Sequence, residues 1–330
     1  MTKSSLLLLS ALLFTAPAVH AEALEELKKA AGPGQSTAAP EIQGNGQAAA
    51  SNAVSISSRT ANTMAEFFAD AAAVAASGEN LLVVFDIDNT LLTYSSDFPG
   101  SPWLSGEFRK IYGCSPKADR ATTNQRKKDL LAIAKAARAI APHRVVPTDA
   151  VKNIKKLQAA GVPILVLTSR GEEESGPTLE AFKALGIDFT KTGLGANFTK
   201  KFKRDTKYEG GIYFTAGQHK GKMLQAILKE TNKSYDFVMF IDDKGKHIDR
   251  VYATLEEAGN VSYHGVRYGK EDGSFQAYGN DKSRARVQLK EYKTTGRIMT
   301  DTAADATKAI VTEADANTLI YGVNDPCNPV

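Results

Sequence analysis

The sequence predicts an α/β protein, a three-layer fold in which helices cover both faces of a parallel sheet. Three observations predict it. Apolar runs at Leu81–Phe85, Pro163–Leu167 and Phe237–Ile241 are too short for ordinary helices and read as strands buried on both faces. The stretches between them carry apolar residues at helical spacing. Glycines at 78, 161 and 186 close several of those stretches just before the chain turns apolar again. Helix, glycine, strand is the rhythm of Rossmann-like βαβ units.

Taken in order, the chain opens Met1-Thr2-Lys3, runs apolar from Leu6 to Phe14 and reaches Val19-His20-Ala21. A positive start, a short apolar centre and small residues before Glu22 predict a secretory signal peptide over 1–21, cleaved after Ala21. The run is too short for a stable membrane anchor, so a periplasmic or secreted protein is expected. Residues 22–57, with Gly32-Pro33-Gly34 and Gly44-Asn45-Gly46, bury little and read as a flexible linker. The net charge of +4 is too weak to argue for a nucleic-acid surface. Only two cysteines occur, Cys114 and Cys327; in an oxidising compartment they can pair, and two separate thiols are the alternative.

From Thr60 to Ala76 a helix is expected, with Met64, Phe67, Phe68, Ala71 and Val74 on one face. The strand Leu81–Phe85 follows and runs into Asp86-Ile87-Asp88-Asn89-Thr90. An insertion from 93 to 146 then interrupts the pattern, and its strongest feature is a helix from Asn124 to Ala141. The α/β rhythm resumes with a helix from Asp149 to Ala160, a strand ending at Thr168-Ser169-Arg170 and a helix from Thr178 to Leu185. Thr190–Gly211 reads as a polar loop, and its run Lys200-Lys201-Phe202-Lys203-Arg204 is either solvated or a patch that attracts an anionic substrate. A short strand from Gly211 to Thr215, a helix from Lys222 to Glu230, a strand ending in Asp242-Asp243 and a helix from His247 to Gly259 follow. Gly265–Tyr268 is a last strand, and 296–330 an extension with a helix near 303–311. The expected core is thus 58–92 with 147–295.

Polar groups end three of the predicted strands: Asp86 and Asp88, then Thr168, then Asp242 and Asp243. Lys220-Gly221 lies between the last two. Buried acids need a cation or hydrogen bonds, and ligands of open α/β sheets bind at the carboxyl ends of strands. These four elements, in this order, resemble the motifs of the haloacid dehalogenase-like (HAD) phosphatase superfamily. The start Phe85-Asp86-Ile87-Asp88-Asn89-Thr90-Leu91-Leu92, with Lys220-Gly221-Lys222, is similar to a group of exported bacterial HAD-like proteins.

The resemblance implies a HAD-like core with a small, mainly helical cap at 93–146, and a Mg²⁺-dependent phosphomonoesterase working through an aspartyl-phosphate. Asp86 is then the nucleophile, Asp88 the general acid and base, Thr168 and Lys220 the groups that hold the phosphoryl oxygens. The metal falls to Asp86, the Asp88 backbone carbonyl and Asp243, with Asp242 either a ligand or behind one. Ser169 is an alternative donor to Thr168. Arg170 either holds substrate or pairs with Glu172 or Glu173; Trp103 and Arg109 either set specificity from the cap or, for Trp103, fill its seam with the core. His247 stands where many family members carry Asn or Asp. The substrate is a phosphorylated small molecule or phosphoprotein. A phosphotransferase and a catalytically idle envelope interaction protein are the other readings.

Overall fold

The computed structural model describes residues 55–114, 119–323 and 325. The expected signal peptide, nearly all of the expected linker and Cys327 lie outside the described residues. An eight-stranded sheet dominates, built from β1 (Ile56–Ala61), β2 (Leu81–Phe85), β5 (Ile164–Thr168), β6 (Phe198–Lys201), β7 (Asp205–Glu209), β8 (Ile212–Phe214), β9 (Phe237–Asp242) and β10 (Ser262–Tyr268). Their order is β1-β10-β9-β2-β5-β8-β7-β6, parallel from β1 to β8, with β7 and β6 running antiparallel at one edge.

Alternation along the central strands divides the core into two layers. Leu81, Val83 and Phe85 of β2, with Ile164 and Val166 of β5, join one cluster. It is covered by α1 (Ala65–Ala76), α4 (Ala150–Ala159) and α5 (Ser175–Ala184), which supply Phe67, Phe68, Ile154, Leu157 and Phe182. Leu82, Val84, Leu165 and Leu167 point the other way, onto α6 (Lys220–Glu230) and α7 (Gly245–Ala258), which supply Leu224, Ile227, Ile248 and Val251. Both faces are apolar because both carry helices, which is why the strands read as unbroken apolar runs.

The insertion leaves and re-enters through a two-stranded antiparallel stem, β3 (Leu92–Tyr94) and β4 (His143–Val145). It carries α2 (Ser101–Tyr112) and α3 (Arg120–Arg138). These do not form a cap alone. Phe98, Trp103, Ile111, Leu130 and Ala134 share one cluster with Tyr278, Ala285, Leu289, Ala316 and Ile320. Those last residues belong to α8 (Asp272–Asn280), α9 (Ser283–Thr295) and α11 (Glu313–Tyr321), with the short α10 (Asp301–Ala306) between them. The Gln288 side chain accepts from the Phe98 amide at 2.9 Å and donates to Asp301 at 2.8 Å, tying insertion to C-terminal helices. The helical unit is therefore larger than 93–146. It takes in residues from 272 onward that the sequence assigns partly to the core and partly to an extension.

Other expectations are corrected at the sheet edges. β1 occupies residues divided between the expected linker and the expected first helix, which begins only at Ala65. The polar loop at 190–211 holds the hairpin β6–β7. Both escape a hydrophobic reading because edge strands carry polar residues on their open face, and lysines there discourage pairing with another chain. Lys200 of the basic run is committed to an ion pair with Glu230. No helix among the described residues is long and apolar enough to cross a membrane.

Candidate active site

The central strands deliver the expected acids to one place. β2 ends at Asp86, whose amide donates to the Ile241 carbonyl of β9 at 3.0 Å, holding the two strand ends side by side. The chain then turns around Ile87, whose carbonyl accepts from the amides of Thr90, Leu91 and Leu92. Asn89 takes the left-handed conformation in this turn, with φ of 64°, which asparagine tolerates better than most residues. Its side-chain nitrogen donates to Asp243 Oδ2 at 3.0 Å, and its oxygen accepts from Thr93 Oγ1 at 3.1 Å. Asn89 thus shapes the turn and orients an acid from another strand. The sequence shows the residue, not the reach.

One carboxyl oxygen each from Asp86, Asp242 and Asp243 lies within 4.8 Å of the others. All three residues are buried, at 5, 0 and 8% exposure. Lys220, fully buried, donates to Asp86 Oδ1 at 2.5 Å and to Asp242 Oδ2 at 2.6 Å. It opens α6, where Gly221 lets the helix approach α7: a Cβ at Gly221 would overlap Thr254 Oγ1 and the Arg250 carbonyl. One ammonium therefore serves two carboxylates. Burial pushes Asp86 up to about 8; Lys220 opposes this, while Asp242, Asp243 and Asp88 add to it. Burial likewise pushes Asp243 up to about 6, with Lys244 opposing and Asp242 reinforcing.

Asp242 differs from its neighbours. Besides Lys220, it accepts from the Lys244 amide at 2.8 Å and from His247 Nδ1 at 3.0 Å. These partners outweigh the burial penalty and hold its carboxyl well below the usual range. His247 is thus the support of Asp242, with its Nδ1 carrying the shared proton. All three carboxylates could hold a divalent cation, and Asp242, with Lys220, the Lys244 amide and His247 already on its oxygens, is the most committed of them.

Asp88 faces the cap stem. Arg170 grips it with both ends of the guanidinium, Nη2 to Oδ1 at 3.0 Å and Nε to Oδ2 at 3.2 Å, while Nη1 donates to Thr178 at 2.8 Å. Arg170 is buried at 4% exposure, so neither a surface pair with Glu172 or Glu173 nor a freely waiting substrate ligand describes it. Burial favours a neutral Asp88, but the Arg170 charge and bonds outweigh it and keep the carboxyl well below its ordinary range. Thr168, fully buried, receives the Arg170 amide on Oγ1 at 3.2 Å; Ser169 follows, half-buried. Trp103 and Arg109 do not join the site. Trp103 is 2% exposed and packs edge-on against Phe98 inside the cap cluster, ring centroids 4.7 Å apart, and Arg109 is exposed on α2. An aromatic in a helical insertion found its partner in the insertion's own core, the ordinary fate of a lone tryptophan.

The stem closes this side. His143 Nε2 lies 3.4 Å from Arg170 Nη2, and its ring packs tilted against Tyr94, centroids 4.6 Å apart. Burial first, then the Arg170 charge, lowers His143 from 6.5 to about 4. A depressed histidine stabilises the fold above its unfolded value and loses that contribution as pH falls from 6.5 towards 4. The melting temperature of His143→Gln, whose amide oxygen can still accept from Arg170, is expected to fall less than wild type between pH 7 and 4.5. Parallel curves in thermal melts would contradict this.

Fold and site together define the class: an α/β protein with a mostly parallel sheet whose central strand ends gather acids around a buried lysine. A family model described as protein of unknown function (DUF2608) matches residues 64–305, and the chain belongs to that family. No curated protein matches the chain.

Proposed function

We propose that the protein is a Mg²⁺-dependent phosphomonoesterase of the HAD type, with Asp86 as the nucleophile. The observation that carries this reading is the convergence of Asp86, Asp242 and Asp243 within 4.8 Å, with Lys220 bonded to two of them, at the carboxyl ends of parallel strands. An all-oxygen set of crowded carboxylates fits a hard divalent cation. Asp86 and Asp243 would hold it, with the Asp88 carbonyl supplied by the family resemblance. When bound, the ion would neutralise the acids that otherwise repel a phosphate dianion.

The chain's own groups do the rest. Asp86 attacks phosphorus and forms an aspartyl-phosphate, splitting one displacement into two. Lys220 donates to the phosphoryl oxygens while holding Asp86 in place, and the Thr168 hydroxyl, or Ser169 beside it, donates from the β5 end. Asp88 delivers a proton to the leaving oxygen and takes one from water in the second step. As held by Arg170 it is ionised and ready for the second role; the first needs it to release Arg170 and gain a proton. That clamp is the one observation favouring a catalytically idle interaction protein. Phosphate release from p-nitrophenyl phosphate decides between them: it should require Mg²⁺ and stop with a chelator. Absence of metal-dependent turnover on any monoester overturns the proposal, and turnover raised by added alcohols points to a phosphotransferase.

A further inference from the structure

Beside Asp243 the molecule opens a cleft of about 510 Å³ between the start of α7 and the cap helix α8. That volume is in the range of small-molecule sites. Asp243, Lys244 and Lys246 line one wall; Phe275 and Gln276 line the other. The cleft therefore runs directly from one of the acids proposed to hold the metal.

One of its cations is uncommitted. Arg267, which also borders it, is spent: its guanidinium bonds both carboxyl oxygens of Asp272 at 2.5 Å. Lys244 already answers the charge of Asp243 and of the acids behind it, whereas the ammonium of Lys246 has no hydrogen-bond or ion-pair partner among the described residues. Phe275 is equally uncommitted. It is half-buried, yet joins none of the apolar clusters on the core or in the cap. The helix that carries it is nonetheless fixed. Tyr278, one turn on, covers Gly106 of α2 so closely that a Cβ there would stand 2.7 Å from its ring. Glu271, just before α8, pairs with Arg144 of the stem at 2.7 Å. A rigidly mounted aromatic face thus stands opposite the uncommitted ammonium of Lys246.

We infer that this cleft takes the leaving group of the substrate, and that this group is flat and carries a second anion. The inference rests on the phosphatase reading of the Asp86 site. Phe275 offers a stacking face, Gln276 an amide for orientation, and Lys246 the countercharge. The substrate class is then an aryl or similarly planar phosphomonoester with a carboxylate or second phosphate beyond the ring.

Phenyl phosphate and 4-carboxyphenyl phosphate differ only in that second anion and provide the test. With Mg²⁺ present, kcat/KM for the carboxylated ester should be about tenfold higher, the scale of one charge-assisted hydrogen bond, and the gain should lie in KM. Lys246→Gln, at an exposed position, should bring the ratio towards one, and Lys246→Arg should keep it. Binding of both esters to Asp86→Asn, followed by calorimetry, reads the cleft without turnover. Turnover with equal kcat/KM for the two esters overturns the cleft assignment and leaves the phosphatase standing. No turnover, but tighter binding of the carboxylated ester that Lys246→Gln abolishes, overturns the phosphatase and leaves an anion-binding cleft. Equal binding of the two esters to Asp86→Asn overturns the cleft assignment as well.

Discussion

Asp86→Asn is expected to cut the proposed metal-dependent phosphate release at least about 10³-fold, because removing the nucleophile of that proposal leaves only binding and electrostatic assistance. The same substitution is expected to stabilise the metal-free protein by about 0.5–2 kcal/mol, the usual gain from relieving a strained functional group. Both effects share one cause. Three buried carboxylates stand within 4.8 Å, and the ammonium of Lys220 reaches two of them. At neutral pH a carboxyl raised to about 8 by burial and its acidic neighbours must bind a proton when the chain folds, a cost that asparagine does not bear. Asparagine keeps the size, and its oxygen can still accept from Lys220, but the charge is gone. Added Mg²⁺ should raise the melting temperature of wild type by mass action and do so much less for the variant. Phosphate release and thermal melts with and without Mg²⁺ check both arms. Undiminished turnover would remove Asp86 from the chemistry, and a lower metal-free melting temperature would show that the acid is needed for the fold.

What could be read from the chain follows from where each residue spends its energy. β2, β5 and β9 are buried on both faces, so their runs of Leu, Val, Ile and Phe have no other good interpretation, and the acids after them stand out against that background. β1, with the sequence Ile-Ser-Ser-Arg-Thr-Ala, lies at an edge and is hydrophobic at neither face for long. The hairpin β6–β7 is hidden for the same reason. The helical unit beside the sheet was legible only in part because its core is assembled from pieces far apart in the chain: the Phe98 amide meets Gln288 across 190 positions. Local periodicity cannot report such a partner. The Arg170 grip on Asp88 was invisible too, for an arginine after a strand looks the same whether it salts a surface or locks a buried acid. Asn89 and His247 were visible as residues, but their bonds to Asp243 and Asp242 depend on strand ends that only the folded sheet aligns.

Lys220→Met should have the largest effect on stability of any single change at the site. Lys220 is fully buried, between Asp86 at 2.5 Å and Asp242 at 2.6 Å, with its ammonium 5.5 Å from the Phe240 ring centre. Taking one partner from a buried ion pair strands the other, at a cost of about 3–5 kcal/mol. Here two partners are stranded, against a total stability for ordinary domains of about 5–15 kcal/mol. Urea unfolding should show that loss. Asp242→Asn in the Lys220→Met background should restore about 0.5–3 kcal/mol, the coupling expected of residues in one network, because the amide oxygen still accepts from Lys244 and His247 with no charge left to compensate. A divalent cation offers an independent measure. If Asp86 and Asp243 hold Mg²⁺, the ion replaces part of the missing positive charge, so Mg²⁺ should raise the melting temperature of Lys220→Met more than that of wild type. Lys220→Met that unfolds like wild type would mean the acids are held apart by something other than this ammonium. An equal Mg²⁺ response in both would mean that lysine and metal do not answer the same negative charge, and that the cluster is not a cation site of the proposed kind.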